Sequence, residues 1–249
     1  MDILFDLRML TDFLGTTVRL AVPIIFGSVG GLISERSGVF NIALEGSILG
    51  GAVGAALGAF LTGSPHGGLV MGICAGAFAG ILLAVLGVSL GINQIVAGIA
   101  INVLVLGLTS FLSRALLGQG ATSQALPGYK PIAIWGLSKI PILGTVLFNQ
   151  DPLTYVMYVT VALTWWVLFR TPWGMNIRAA GQFPAAVDTA GISVAKVRYA
   201  AVIASCSIAS IGGCCLVLSQ VYIFTEHMSA GRGFISLAAL ILGRWNPPG

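Results

Sequence analysis

The chain has 249 residues, of which 57% are hydrophobic and only 8% charged, with a net charge of +4. An average soluble domain carries about a quarter charged residues, so a soluble domain is excluded, and the absence of a basic tract excludes nucleic acid as a partner. Crossing about 30 Å of hydrocarbon at about 1.5 Å per residue takes roughly 20 apolar residues.

In chain order, Met-Asp-Ile-Leu-Phe-Asp-Leu-Arg at the N-terminus lacks the cationic region and small-residue cleavage site of a signal peptide, so insertion is expected to rely on the spans themselves. The first span is expected at about 13–33, followed by the polar break Ser34-Glu35-Arg36-Ser37-Gly38. Gly46 to Ser113 contains no Asp, Glu, Lys or Arg. That run holds spans at about 40–61, 68–90 and 93–117. Because the apolar stretches are continuous rather than alternating, helices and not strands satisfy the backbone in lipid. Gly46, Gly50, Gly54 and Gly58 recur every fourth residue, as do Gly68, Gly72, Gly76 and Gly80. Each series makes a smooth stripe on which a neighbouring backbone can approach closely.

Residues 118–152, punctuated by Gly118, Gly120, Pro127, Gly128 and Pro131, read as a structured external loop. A fifth span follows at 153–169, a polar connection at 170–198 and a sixth span at 199–224. A shorter apolar run at 233–243 is half a bilayer long, either a half-helix or an interfacial segment. The expected fold is an all-α, polytopic bundle of about six full spans plus a C-terminal half-span, in one domain covering 1–249. Arg170, Arg178, Lys196 and Arg198 put the 170–198 connection in the cytoplasm, which leaves the N-terminus outside.

Enzymatic chemistry has little to work with. His66 and His227 lie in different connections, and Cys74, Cys206, Cys214 and Cys215 lie in apolar runs without metal-type spacing. No Gly-Lys dipeptide exists to build a nucleotide-binding Walker loop. No cofactor or metal is expected on this chain, and any ATP would be bound by a partner.

The polar residues inside or beside the spans are the candidates for a translocation path. Glu45 sits just inside the second span with Asn41 one turn before it on the same face. A carboxylate in lipid is costly, so Glu45 should face protein or water, with a pairing to Arg36 as the competing expectation. Asn93, Gln94 and Asn102 offer donors and acceptors suited to hydroxyl-rich ligands, or else hydrogen bonds between helices.

Within the cytoplasmic connection, Pro184 suits a first helical turn and Gly191 the left-handed residue after the last. They bracket a helix of about seven residues, marginal alone in water and therefore expected to dock on something. Ala179, Ala180, Ala185, Ala186 and Ala190 give it a shallow profile that can enter a partner's groove.

Arg178-Ala-Ala-Gly-Gln-Phe-Pro-Ala-Ala-Val-Asp-Thr-Ala-Gly-Ile192 resembles the cytoplasmic coupling loop of permeases in the branched-chain amino acid, ribose and nucleoside group of ABC importers. Three more stretches share the resemblance: Ser34-Glu-Arg-Ser-Gly-Val-Phe-Asn-Ile-Ala-Leu-Glu-Gly46, Asn93-Gln-Ile-Val-Ala-Gly-Ile-Ala-Ile-Asn102 and Met228-Ser-Ala-Gly-Arg-Gly-Phe-Ile-Ser-Leu-Ala238. Where that family carries an acidic or amide pair, often Glu-Asn, this chain has Gln182-Phe183. The likeness is strongest to simple-sugar and nucleoside permeases, which normally continue beyond the position of Gly249. It implies a multi-pass protein of the bacterial cytoplasmic membrane, a cytoplasmic ABC ATPase, a second homologous permease subunit and an external substrate-binding lipoprotein as partners. It also implies that Arg178, Gly181, Pro184, Ala186 and Gly191 shape the ATPase-coupling element. Two other readings compete: an ion-coupled carrier using Glu45, and a non-transporting membrane scaffold.

Overall fold

A computed structural model describes residues 7–117, 125–133 and 143–247. The helices are α1 (Leu7–Arg36), α2 (Leu44–Thr62), α3 (Pro65–Ala84), α4 (Gln94–Leu112), α5 (Leu143–Phe148), α6 (Pro152–Arg170), α7 (Pro172–Gln182), α8 (Pro184–Thr189), α9 (Val194–Cys215) and α10 (Arg232–Leu242). Two short strands, β1 (Ile132–Ala133) and β2 (Asn149–Gln150), pair antiparallel within the expected external loop. The rest of that loop, residues 118–124 and 134–142, lies outside the described residues. Six helices, α1, α2, α3, α4, α6 and α9, are long and apolar enough to cross a membrane, and α10 is the shorter apolar helix.

α2 is the centre of the bundle and is buried over most of its length, packed on α3, α9 and α4. The glycine stripes make this possible. A Cβ at Gly54 would lie 2.8 Å from the carbonyl of Met71, and one at Gly68 would lie 2.7 Å from that of Ala55, so any larger side chain would separate α2 from α3. On the outside, Val96, Ile99, Val103 and Phe111 of α4 and Val159, Leu163 and Trp166 of α6 are exposed apolar side chains, the composition of a lipid-facing surface.

Backbone groups released by irregularities find partners inside the protein, as the membrane demands. Pro23 in α1 has no N–H for the carbonyl of Arg19; Gln220 Nε2 donates to that carbonyl instead at 2.7 Å. α9 widens into a π-helical stretch at Leu216–Val221, and the carbonyls of Leu218 and Tyr222 accept the N–H groups of Tyr129 and Leu126 from the external segment.

The main departure from regular structure lies between α1 and α2. The second span was expected from residue 40, yet the helix begins at Leu44 and residues 37–43 are not helical. This segment runs along α4. Gln94 Oε1 accepts the N–H of Phe40 at 2.7 Å, Asn102 Oδ1 accepts that of Gly46 at 2.8 Å, and Asn102 Nδ2 donates to the carbonyl of Ile42 at 3.0 Å. Since Gln94 and Asn102 are separated by about 12 Å along a helix of about 1.5 Å rise per residue, α2 starts well inside the hydrocarbon depth.

α10 also starts there. Its 11 residues span about 16 Å, roughly half the hydrocarbon core. The helix is locked to α1 where Ser236 Oγ donates to the carbonyl of Ile24 and Ser28 Oγ donates to that of Ser236, both at 2.9 Å. Its far end meets the end of α1, where Arg36 Nε donates to the carbonyl of Trp245 at 3.1 Å.

Candidate functional site

Two features stand out: a cleft where α2 and α10 begin, and a short exposed helix at the basic end of the bundle.

The cleft is organised by Glu45. Its Oε1 accepts Ser229 Oγ at 2.6 Å and the N–H of Gly231 at 2.9 Å, and its Oε2 accepts the N–H of Gly233 at 2.7 Å. The first N–H groups of a helix have no partner within it and carry its positive dipole end, so the carboxylate of α2 caps α10. Gly231 holds the left-handed turn that enters α10, with φ +80, and a Cβ on Gly233 would collide with the backbone of Glu45. Glu45 is thus paired with α10 and not with Arg36, whose guanidinium goes to Trp245.

Beside this cap lies a cleft of about 240 Å³, lined among others by Glu45, Asn102, His227, Ala230 and Phe234. Just past the end of α4, Arg114 Nε and Oε1 of Glu226, the residue before His227, form an ion pair at 3.0 Å. Hydrogen bonding from Arg114 holds the Glu226 carboxyl below the usual carboxylate range.

Of the five path candidates, Glu45 and Asn102 reach the cleft. The other three brace the non-helical 37–43 segment or its neighbour. Asn41 is buried and donates through Nδ2 to Ser205 Oγ at 2.9 Å, tying the segment to α9. Asn93 caps α4 by accepting the N–H of Ile95 at 2.9 Å, and Gln94 holds Phe40. Sequence reasoning missed Ser229, Gly231 and Gly233 as the partners of Glu45. A serine and two glycines immediately before an apolar run were the available signal, since they describe a turn feeding a helix N-terminus.

The connection after α6 contains two helices where one was expected. α7 begins with the N-cap Thr171, whose Oγ1 accepts the N–H of Gly174 at 3.2 Å, followed by Pro172 in the first turn. Its face Gly174, Ile177 and Ala180 is buried, so Ala180 packs into the protein's own core with Leu168, Val194 and Val197. It is not part of a shallow outer profile. Arg178 lies in α7 with its guanidinium 5.1 Å from the ring of Phe169, and its Nε is buried without a hydrogen-bond partner. Gly181 lets α7 touch the turn after α1: a Cβ there would sit 3.1 Å from the carbonyl carbon of Arg36. Arg198 clamps the same contact, Nε donating to the carbonyl of Ser37 at 3.2 Å and Nη2 to that of Ala180 at 3.3 Å.

α8 carries Pro184 in its first turn, and Gly191 follows it in the left-handed conformation at φ +79. Val187 is its one buried side chain. Pro184, Ala185, Ala186, Asp188 and Thr189 are exposed, and Phe183 at the α7–α8 junction is 71% exposed. A six-residue helix is far below the length that is stable alone, so it is held by Val187, by the scaffold of α7, and by Asp188 Oδ1, which accepts the N–H of Val194 at 3.4 Å.

Comparison with known proteins follows the same outline. The family described as "Branched-chain amino acid transport system / permease component" matches residues 13–249. The guanosine ABC transporter permease protein NupQ of Bacillus subtilis (strain 168) is 36% identical across 97% of this chain and 78% of its own length. The nucleoside ABC transporter permease protein NupC of Lactococcus lactis subsp. cremoris (strain MG1363) is 36% identical across 92% of this chain and 74% of its own. The putative glucose ABC transporter permease protein TsgC13 of Haloferax volcanii is 33% identical, with coverages of 94% and 71%. No solved structure matches the chain.

Proposed function

This chain belongs to the permease-component family of the branched-chain amino acid transport system, and from that premise we propose that it is the membrane-spanning subunit of an ATP-driven importer for a nucleoside or simple sugar. It is a multi-pass protein of the cell membrane and a transport subunit. The solute arrives on an external binding lipoprotein, a second homologous permease subunit completes the pathway, and a separate ATPase binds the ATP, with no cofactor on this chain. The substrate class is drawn from relatives whose names specify guanosine, nucleoside and glucose.

The observation that carries this reading is α8. An exposed six-residue helix, seated on α7 at the end of the bundle that carries Arg36, Arg170, Lys196 and Arg198, has the form of a handle for another polypeptide. The concentration of basic residues at that end supports a cytoplasmic side, where an ATPase can reach it. Pro184 and Gly191 set the ends of the handle, Ala186 keeps its outer face shallow, and Gly181 and Arg178 seat it.

Glu45 weighs against the ion-coupled carrier. Its two oxygens already accept three hydrogen bonds, and a carboxylate engaged in capping is poorly placed to load and release an ion in each cycle.

The test is reconstitution of the chain with an ABC ATPase, a second permease subunit and a substrate-binding lipoprotein. ATP-dependent uptake of radiolabelled guanosine or ribose is expected, together with loss of coupling in Gly191→Val. Uptake driven by a proton or sodium gradient without ATP, or reactivity of Ala186→Cys to impermeant reagents from the exterior only, would refute the reading.

A further inference from the structure

Hydrogen-bonding capacity in the cleft is unevenly spent. The carboxylate of Glu45 is occupied by Ser229, Gly231 and Gly233. The amide of Asn102 is committed at both ends, to Gly46 and to Ile42. Both groups hold the walls, and Asn102 keeps one amide N–H and one lone pair beyond those bonds.

Two lining side chains that carry an aromatic ring are uncommitted. His227 is exposed, and its ring makes no hydrogen bond among the described residues. Phe234, on the first turn of α10, is 51% exposed. His227 is held in the left-handed conformation at φ +60, which is uncommon for a residue with a side chain, and its carbonyl accepts the N–H of Ala230 at 3.0 Å. The turn therefore sets the backbone of His227 beside the cleft that Phe234 also lines.

We propose that His227 and Phe234 are the solute-contacting pair of this cleft and select the heteroaromatic base of a nucleoside over a bare sugar. An imidazole with one donor and one acceptor nitrogen matches the donor and acceptor edge of a base, and a phenyl face stacks on its plane whatever the base identity. A bare sugar has no aromatic face to use. The inference rests on the reading of this chain as a nucleoside or sugar permease and narrows that reading to nucleosides.

The experiment uses the full chain in sealed vesicles, with Cys74→Ser removing the exposed thiol and Ala230→Cys placing a reporter at the cleft wall. The rate of labelling by a small thiol reagent is measured with increasing uridine, adenosine or ribose. Nucleosides are expected to protect at lower concentration than ribose. In His227→Ala or Phe234→Ala, nucleoside protection should need about tenfold more solute, the lower part of the range for a lost stacking contact. Ribose protection should stay unchanged and so reports that the variant is correctly folded. His227→Gln, which keeps a donor and an acceptor, should recover part of the loss. Equal protection by uridine and ribose, no protection by either, or an unchanged nucleoside response in both alanine variants overturns the proposal. The broader reading fails separately: reconstituted wild-type transporter would then take up neither nucleoside nor ribose with ATP.

Discussion

Removing the carboxylate of Glu45 should unseat α10 while leaving the six long helices in place. Glu45→Ala deletes three hydrogen bonds, at 2.6, 2.9 and 2.7 Å. Hydrogen bonds between helices in membranes average about 0.6 kcal/mol and reach about 1.7, so the three are worth about 2–5 kcal/mol together. Loss of the charge from a helix N-terminus adds roughly 0.3–1 kcal/mol. Against a total stability of about 5–15 kcal/mol, this is enough to open one half-length helix and too little to dissolve the bundle. At 1.4 kcal/mol per factor of ten, the smaller figure corresponds to about a thirtyfold rise in local opening. Hydrogen–deuterium exchange of detergent-solubilised protein reads this directly. Peptides covering 229–242 should exchange faster by that factor or more, and those from α2 and α3 should not change. Glu45→Gln keeps one acceptor oxygen and should fall between the two. An alanine variant whose 229–242 amides stay as protected as wild type would refute the capping role.

The glycine contacts make a paired prediction: Gly68→Ala, whose Cβ would meet the carbonyl of Ala55 at 2.7 Å, should lower stability by about 1–3 kcal/mol from overpacking. Gly107→Ala, with nothing within 4 Å, should leave it equal or raise it by up to about 1 kcal/mol; thermal unfolding midpoints in one detergent compare them. Arg198→Ala removes the two bonds that clamp α7 to the turn after α1, so reconstituted complexes should hydrolyse more ATP per solute moved, and an unchanged ratio would contradict the clamp. The Arg114–Glu226 contact should be indifferent to pH between 8 and 5, because a carboxyl held below its ordinary value of 4.5 stays charged there; the contact is lost as pH falls through that lowered value. A thiol-reactivity probe at Ser110, next to Glu226, should report the change only in acid.

Much of the architecture was legible in the sequence for a simple physical reason: spans are set by composition over a fixed thickness, and hydropathy measures composition. The break at 37–43 was not legible because Val39, Phe40, Ile42, Ala43 and Leu44 are as apolar as any helix. What keeps those residues non-helical is a set of side-chain acceptors and donors at Gln94 and Asn102, more than fifty residues away. α7 was hidden differently. Thr171-Pro172 is an N-cap followed by a first-turn proline, yet the helix is short and polar enough to resemble an ordinary connection. The same distance problem governs Glu45, since its partners lie more than 180 positions along the chain and a nearby arginine offered the more obvious pairing.

The break also explains why the handle and the cleft belong to one device. α7 rests on the turn of Arg36, Ser37 and Gly38 through Gly181 and Arg198, and that turn continues directly into the 39–43 segment. A helical connection would fix its own geometry through internal hydrogen bonds. This segment takes its geometry from α4 and α9, through Gln94, Asn102 and Asn41, and delivers Glu45 to the start of α10. Between the face of α7 that carries α8 and the wall of the cleft, the contacts therefore run through a stretch, 37–43, with no helix of its own to absorb a displacement, which is why the Arg198 clamp, far from any solute, is the place where uptake and ATP hydrolysis should come apart.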